Sequence, residues 1–219
     1  MKQFVEQHGS YSIFKVDSQY LHRIAELVVK ANYNHHCGNI CPDDMEKEIQ
    51  EVYMEELEYA PSSQLYIAED NSEQIIGCIR VMKWDLQHKL PIQKIFDINP
   101  LDYISNTLKN PTFWHIGRFA IDSCANVPNL SLFKQLMIYA ITPICQQQNS
   151  YMIAECDSKL LRVMGLLDIN TVRLGNGIHY LGSETIPVYA NRKGLMSFYY
   201  KYKTPNVTMV NADLTMNVA

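Results

Sequence analysis

Residues Thr112–Asp122 read Thr-Phe-Trp-His-Ile-Gly-Arg-Phe-Ala-Ile-Asp. Aromatic and β-branched residues dominate, Pro111 precedes the run and a turn-rich stretch follows it, so the pattern predicts a strand. A buried strand should be apolar throughout, yet His115 and Arg118 stand in the middle of this one. Burying an unpaired guanidinium costs several kcal/mol, so Arg118 needs an anion, a carbonyl cluster or a wet cavity. Such a conflict between local pattern and composition marks a candidate site.

Downstream, a loop over 123–129 leads into a helix from about Leu130. Its core face holds Leu132, Phe133, Leu136, Met137, Ala140 and Ile141, until Pro143 ends or kinks it. Tyr151–Cys156 reads as a buried strand, and Asp157 or Ser158 caps a helix carrying Leu160, Leu161 and Met164. Strand, helix and strand over 112–156 imply a parallel pair joined by a right-handed crossover. Gly175-Asn176-Gly177, between Ile169–Leu174 and Ile178–Leu181, is a hairpin signature. Pro187 places the last strand, Thr185–Tyr189, at an edge or a bulge.

Upstream, Tyr11–Asp17 alternates as a first strand. Asp17 or Ser18 then caps a helix with Leu21, Ile24, Ala25 and Val28 on one face, ending near Asn34. Cys41-Pro42-Asp43 signals a second helix, with Ile49, Val52, Tyr53 and Leu57 apolar. Its acids, Asp43, Asp44, Glu46, Glu48, Glu51, Glu55, Glu56 and Glu58, read for the most part as a solvated face. Gln64–Glu69 and Gln74–Trp84 form two strands around an Asp70-Asn71-Ser72 hairpin loop. Arg80, between Ile79 and Val81, fits either an edge-strand arginine or a second charge in a site. The pattern breaks over 85–110, where Asn99-Pro100 opens a short helix; a connection this long is commonly a lid or binding loop.

Composition bounds the function. A chain of 219 residues, 47% hydrophobic and 19% charged, suggests one α/β domain with a full core, or at most one domain with an elaboration, expected over 1–203 with a trailing segment over 204–219. Its net charge of −4 argues against a nucleic-acid partner. No apolar run approaches the ~20 residues of a membrane span, and the first residues are too polar for a signal peptide, so a cytoplasmic location is expected. The six cysteines lack disulfide-framework spacing and are expected to be free and mostly buried. His35-His36-Cys37 with Cys41 has no second ligand pair, which favours a helix-end turn, and no metal is expected.

The order of elements resembles the GNAT acyltransferase superfamily, and Trp114-His115-Ile116-Gly117-Arg118-Phe119-Ala120-Ile121 narrows the resemblance. It is similar to the Trp-Glu-(apolar)-Ser-Arg-Phe-Ala-Val run of acyl-homoserine-lactone (autoinducer) synthases and long-chain N-acyl amino acid synthases. Cys78-Ile79-Arg80-Val81, then Ile153-Ala154-Glu155-Cys156-Asp157 with Leu160-Leu161-Arg162, then Asn170–Gly175 continue it in order. Coverage runs from about Leu65 to Gly194. The resemblance implies a GNAT-like mixed, mostly antiparallel central sheet with one parallel pair and helices on both faces. It also implies an enzyme that transfers a fatty acyl group from acyl carrier protein to the amine of an amino acid or similar small acceptor. Two departures stand out: the family's catalytic glutamate is His115 here and its serine is Gly117. The arginine and paired aspartates that bind the methionine-derived substrate have no match, with only Lys30 and Glu58 nearby.

Amide synthesis from a thioester needs an uncharged amine. An imidazole, titrating near ~6.5 when unperturbed, can take the amine's proton at neutral pH. The expected catalytic residues are therefore His115 and Arg118, the latter anchoring the acyl donor or an internal carboxylate. Expected substrate-binding residues are Arg80, suited to an acceptor carboxylate, with Trp84, Trp114, Phe119, Ala120 and Cys156. The resemblance implies that the strand splays from Tyr151–Cys156, with backbone amides around Phe119–Ala120 as oxyanion donors. Three positions apart on an unbroken strand, His115 and Arg118 would face opposite ways; a bulge near Gly117 would unite them. The loop Ser123–Asn129 lacks the glycines that cradle a pyrophosphate, and Pro128 removes an amide. That favours acyl-phosphopantetheine on a carrier protein over CoA as donor, with Lys134, Lys159, Arg162 and Arg173 as candidate docking charges. Alternatives are an acyl-CoA or acetyl-CoA transferase of the same fold, or a catalytically inactive acyl-binding relative.

Overall fold

The computed structural model describes residues 1–36, 44–104, 111–180 and 183–204. The central strand of the sequence argument is β5 (Thr112–Ile121). On one side it pairs antiparallel with β4 (Ile75–Lys83), which pairs in turn with β3 (Ser63–Asp70). Beyond β3 lies β2 (Tyr11–Val16), hairpinned to β1 (Lys2–His8) through Gly9 at φ 55°, a conformation glycine adopts without steric cost. On its other side β5 pairs parallel with β6 (Ser150–Asp157), which is followed in the sheet by β9 (Ser183–Asn191). Two short strands, β7 (Val172–Arg173) and β8 (Ile178–Tyr180), both pair with β9. The sheet is thus mixed and mostly antiparallel, with β5–β6 the parallel pair among the described strands.

Helices cover both faces. One face carries α1 (Leu21–His36), preceded by a helical turn that Asp17 caps, then α2 (Met45–Tyr59), α3 (Pro91–Phe96) and α4 (Pro100–Ile104). The other carries α5 (Asn129–Gln146), α6 (Ser158–Leu166) and α7 (Arg192–Tyr202). The larger core lies under α5 and α7, where Leu136, Ile141 and Phe198 meet Val81, Trp114 and Met152. Asp157 caps α6 by accepting from the Leu160 amide at 2.6 Å, as its position predicts.

Several expectations are corrected. The α5 helix does not stop at Pro143 but continues to Gln146; residues 136–145 are all buried, and their packing outweighs the missing amide. Gly175-Asn176-Gly177 does not close a hairpin between its flanks, because β9 takes both as partners. Nor is β9 an edge strand. Pro187 accepts from the Leu174 amide at 2.9 Å on the side where the β7 and β8 ladders leave a gap, so its missing N–H falls where no partner asks for one. The sequence pattern also missed β1, α3 and α7. The expected second-helix start at 41–43, Cys37 and Cys41, and the tail beyond Thr204 lie outside the described residues.

Candidate active site

The ladder between β5 and β6 joins Thr112 to Ser150 and ends at His115 with Ile153. Past that point each strand keeps its other neighbour: β5 follows β4 to Ile121, and β6 follows β9 to Asp157. Two parallel strands that share four rungs and then follow different partners must diverge. The gap is filled by a cavity of about 510 Å³, within the range of small-molecule sites. Its lining crosses the sheet. On the α5 side it is apolar, with Phe133, Met137, Met152, Ala154, Leu160 and Met164; on the α2 side it carries Glu48, Glu55, Arg80, His115, Arg118 and Glu155.

A bulge decides which way the charges face. Cys78 pairs with Ala120 and Arg80 with Gly117, so β5 holds one residue more than β4 across this interval. Arg118 sits there at φ 52°, in the left-handed region that costs a non-glycine residue about 1–3 kcal/mol. The Cys78 thiol donates to the Arg118 carbonyl at 3.1 Å and helps to hold the turn. The extra residue puts Arg118 on the same face as His115.

Six ionisable side chains then form one chain of contacts. Glu155 Oε2 lies 2.8 Å from His115 Nε2, and His115 Nδ1 lies 3.1 Å from Arg80 Nη2. Arg80 Nε pairs with Glu56 Oε2 at 3.2 Å, and Glu56 Oε1 accepts from Arg118 Nε at 2.7 Å. Glu55 accepts from Arg118 Nη2 and closes the series. The centre is dry: Arg80, His115 and Glu56 are each 1% exposed. A guanidinium only donates, so Arg80 fixes Nδ1 of His115 as an acceptor; Nε2 then carries the proton and donates to Glu155. Burial alone would raise the Glu56 carboxyl, but Arg80 and Arg118 beside it hold it below the ordinary carboxylate range, so it is ionised.

Gly117 makes this packing feasible. A Cβ there would stand 2.9 Å from both Arg80 Nη2 and His115 Cε1. Gly117→Ala is expected to cost about 1–3 kcal/mol through overpacking. Chemical denaturation measures it, and an unchanged midpoint would show that the two side chains yield freely.

The structure sorts the expected residues. His115, Arg118, Arg80, Phe119, Ala120 and Cys156 all line the cavity. Arg80 spends its guanidinium on Glu56, His115 and the Met82 sulfur and lies over the Tyr59 ring, a different use from gripping a substrate carboxylate. Trp84 and Trp114 are not among the lining residues, for two reasons. Alternation turns Trp114 to the α5 face, opposite His115, while Trp84 lies past the end of β4 against Phe113, its indole N–H on the His88 carbonyl at 2.7 Å. The Cys156 thiol is pushed up by burial, with Glu155 and Asp157 adding to the effect, so it stays protonated and is no nucleophile.

Three glutamates were missed. Glu155 carried the signal that flagged His115, a charge inside an apolar strand. Glu56 stands on the buried stripe of α2 with Ile49, Val52 and Tyr59, at helical spacing. Glu55 has no such signal, since only the bulge brings Arg118 to it. Among the described residues no group of His, Cys, Asp and Glu is placed to hold a metal ion.

An open sheet splayed at one parallel pair, with a bulge on the inner strand and a cavity through the gap, is a GNAT-like fold. Several solved structures share the overall fold. The acyl-homoserine-lactone synthase LasI matches with a TM-score of 0.54 at 14% identity, over 87% of this chain and 94% of its own. FeeM, an N-acyl amino acid synthase from uncultured soil microbes, matches at 0.54 and 16% identity, over 84% and 91%. BjaI, a CoA-dependent acyl-homoserine-lactone synthase solved with S-adenosylmethionine and isopentyl-CoA, matches at 0.56 and 13% identity, over 90% and 97%. No protein-family model and no curated protein sequence matches the chain.

Proposed function

We propose that this chain is an N-acyltransferase that moves a fatty acyl group from the phosphopantetheine thioester of an acyl carrier protein to the amine of a small acceptor. The observation that carries the reading is the two-sided cavity in the β5–β6 gap, apolar toward α5 and α6 and charged toward α2. An acyl chain fits the first half and an amine with its base the second, so the thioester carbonyl lies at the strand gap between them. Backbone amides near Phe119 and Ala120, beyond the last β5–β6 rung, are the candidate donors to a developing oxyanion.

Both ring nitrogens of His115 are engaged, one by Arg80 and one by Glu155. The proton acceptor of the pair is therefore the Glu155 carboxylate, with His115 orienting it. An ammonium gives one proton to Glu155; the neutral amine attacks and the C–N bond forms; the C–S bond breaks, and the leaving sulfur takes the second amine proton.

The loop after β5 supports a carrier-protein donor. Its amides are committed locally: Cys124 donates to the Asp122 carboxylate at 2.9 Å, Ala125 to the Asp122 carbonyl at 3.2 Å and Val127 to the Ala125 carbonyl at 2.8 Å. Few amides remain to cradle a pyrophosphate. The CoA dependence of BjaI favours a second reading, an acyl-CoA donor. Matched dodecanoyl thioesters of carrier protein and CoA, incubated with an amine mixture and followed by mass spectrometry, decide between them. An N-acyl product from the carrier thioester is expected; binding of both without turnover would point to an inactive relative. Leu160→Trp, which narrows the apolar half, is expected to shift the products to shorter acyl chains. An unchanged chain-length profile would remove the acyl assignment of that half.

A further inference from the structure

The charged half of the cavity also carries information about the acceptor, provided the transferase reading holds. Its two guanidiniums are already matched, Arg80 by Glu56 and Arg118 by Glu56 and Glu55. Glu155 and Glu48 stand beside them on the same wall. With His115 neutral, four carboxylates face two arginines, an excess of two negative charges at the acceptor end. Asp157 and Lys159, also on the lining, balance one another.

Glu155 shows where positive charge is missing. Its side chain is 11% exposed, and Oε2 is held by His115. The other oxygen, Oε1, is buried and meets no hydrogen-bond donor among the described residues. An ionised oxygen buried without a donor is costly, so such an atom on a cavity wall points to a donor that arrives with the ligand. Glu48 completes the wall nearer the surface, its Oε1 accepting from the Tyr33 hydroxyl at 2.5 Å. An α-amino acid would bring a carboxylate into this field, with both arginines already neutralised and Glu55, Glu48 and Glu155 close by. Like charges in a partly dry site repel strongly.

We propose that the acceptor is a cationic amine without a carboxylate, an alkylamine or diamine, whose reacting ammonium is received by Glu155 and whose remaining positive charge is held by Glu48 and Glu55. The matched pair of cadaverine and lysine isolates the feature, because the two differ by one carboxylate. With dodecanoyl-pantetheine as donor, cadaverine is expected to show at least a tenfold higher kcat/KM than lysine, and lysine methyl ester to recover most of the difference. Glu55→Gln, which removes one of the two carboxylates on Arg118, and Glu48→Gln are each expected to narrow the ratio severalfold. Equal or better use of lysine by the unmodified protein, or a ratio unmoved in both variants, would overturn the proposal and leave the transferase reading intact. No acylated product from any acceptor, with the thioester bound or hydrolysed, would instead overturn the transferase reading and this inference with it.

Discussion

Glu56→Gln is expected to destabilise the protein by about 3–5 kcal/mol, the cost of leaving buried charge without its partner. Glu56 carries two guanidiniums at once, Arg80 at 3.2 Å and Arg118 at 2.7 Å, and both it and Arg80 are 1% exposed. A glutamine keeps the volume and removes the charge, so the loss reads the electrostatics and not a cavity. Glu51→Gln on the same helix is the control: that side chain is 67% exposed, and its ion pair with Lys47 is worth at most about 1 kcal/mol. Urea unfolding followed by circular dichroism measures both. Glu56→Gln losing less than about 1 kcal/mol would mean that solvent reaches the pair. The pH dependence carries the same sign. Glu56 titrates lower in the folded chain than in the unfolded one, so its contribution is full above the ordinary carboxylate range and is lost as pH falls through the folded value. Acid destabilisation should accordingly be shallower in Glu56→Gln.

The second large effect is catalytic. His115→Ala is expected to lower kcat by up to about 10²–10⁴, the span of the general-base contribution of the carboxylate it orients, with little change in KM for the acyl donor. Its removal takes from Glu155 the hydrogen bond at 2.8 Å that orients the proposed base, and from Arg80 the acceptor at 3.1 Å. Glu155→Gln keeps a partner for the His115 N–H but cannot accept the amine's proton, so its kcat should fall at least as far. Full activity in both variants would remove the His115–Glu155 pair from the mechanism. Activity lost in Glu155→Gln and kept in His115→Ala would leave the carboxylate as a base that needs no orienting partner.

Much of the site was legible because charge in an apolar strand is a local signal. His115, Arg118 and Arg80 were flagged that way, and Glu155 sits in an equally apolar run, Tyr151–Cys156. Glu56 shows how the reading fails. One face of α2 is acidic and solvated, and only burial at the spacing of Ile49, Val52 and Tyr59 separates Glu56 from its exposed neighbours. Pro187 and Pro143 misled for one shared reason. Each marks a missing N–H, but whether that matters depends on what lies opposite, a gap between β7 and β8 in one case and close helix packing in the other.

By itself the sequence determined the α/β order, the parallel pair around a crossover helix, and which strand carries charge into the core, since these follow from periodicity and from residue types within a few positions of one another. Only the tertiary structure decided which charges are partners. Arg80 is neutralised by a helix 24 positions earlier in the chain. His115 receives its tautomer from one neighbouring strand and its carboxylate from the other. The bulge at Arg118 turns two opposed side chains to one face. Pairing energies of that kind depend on distance and burial across separate elements, and neither is written in local order.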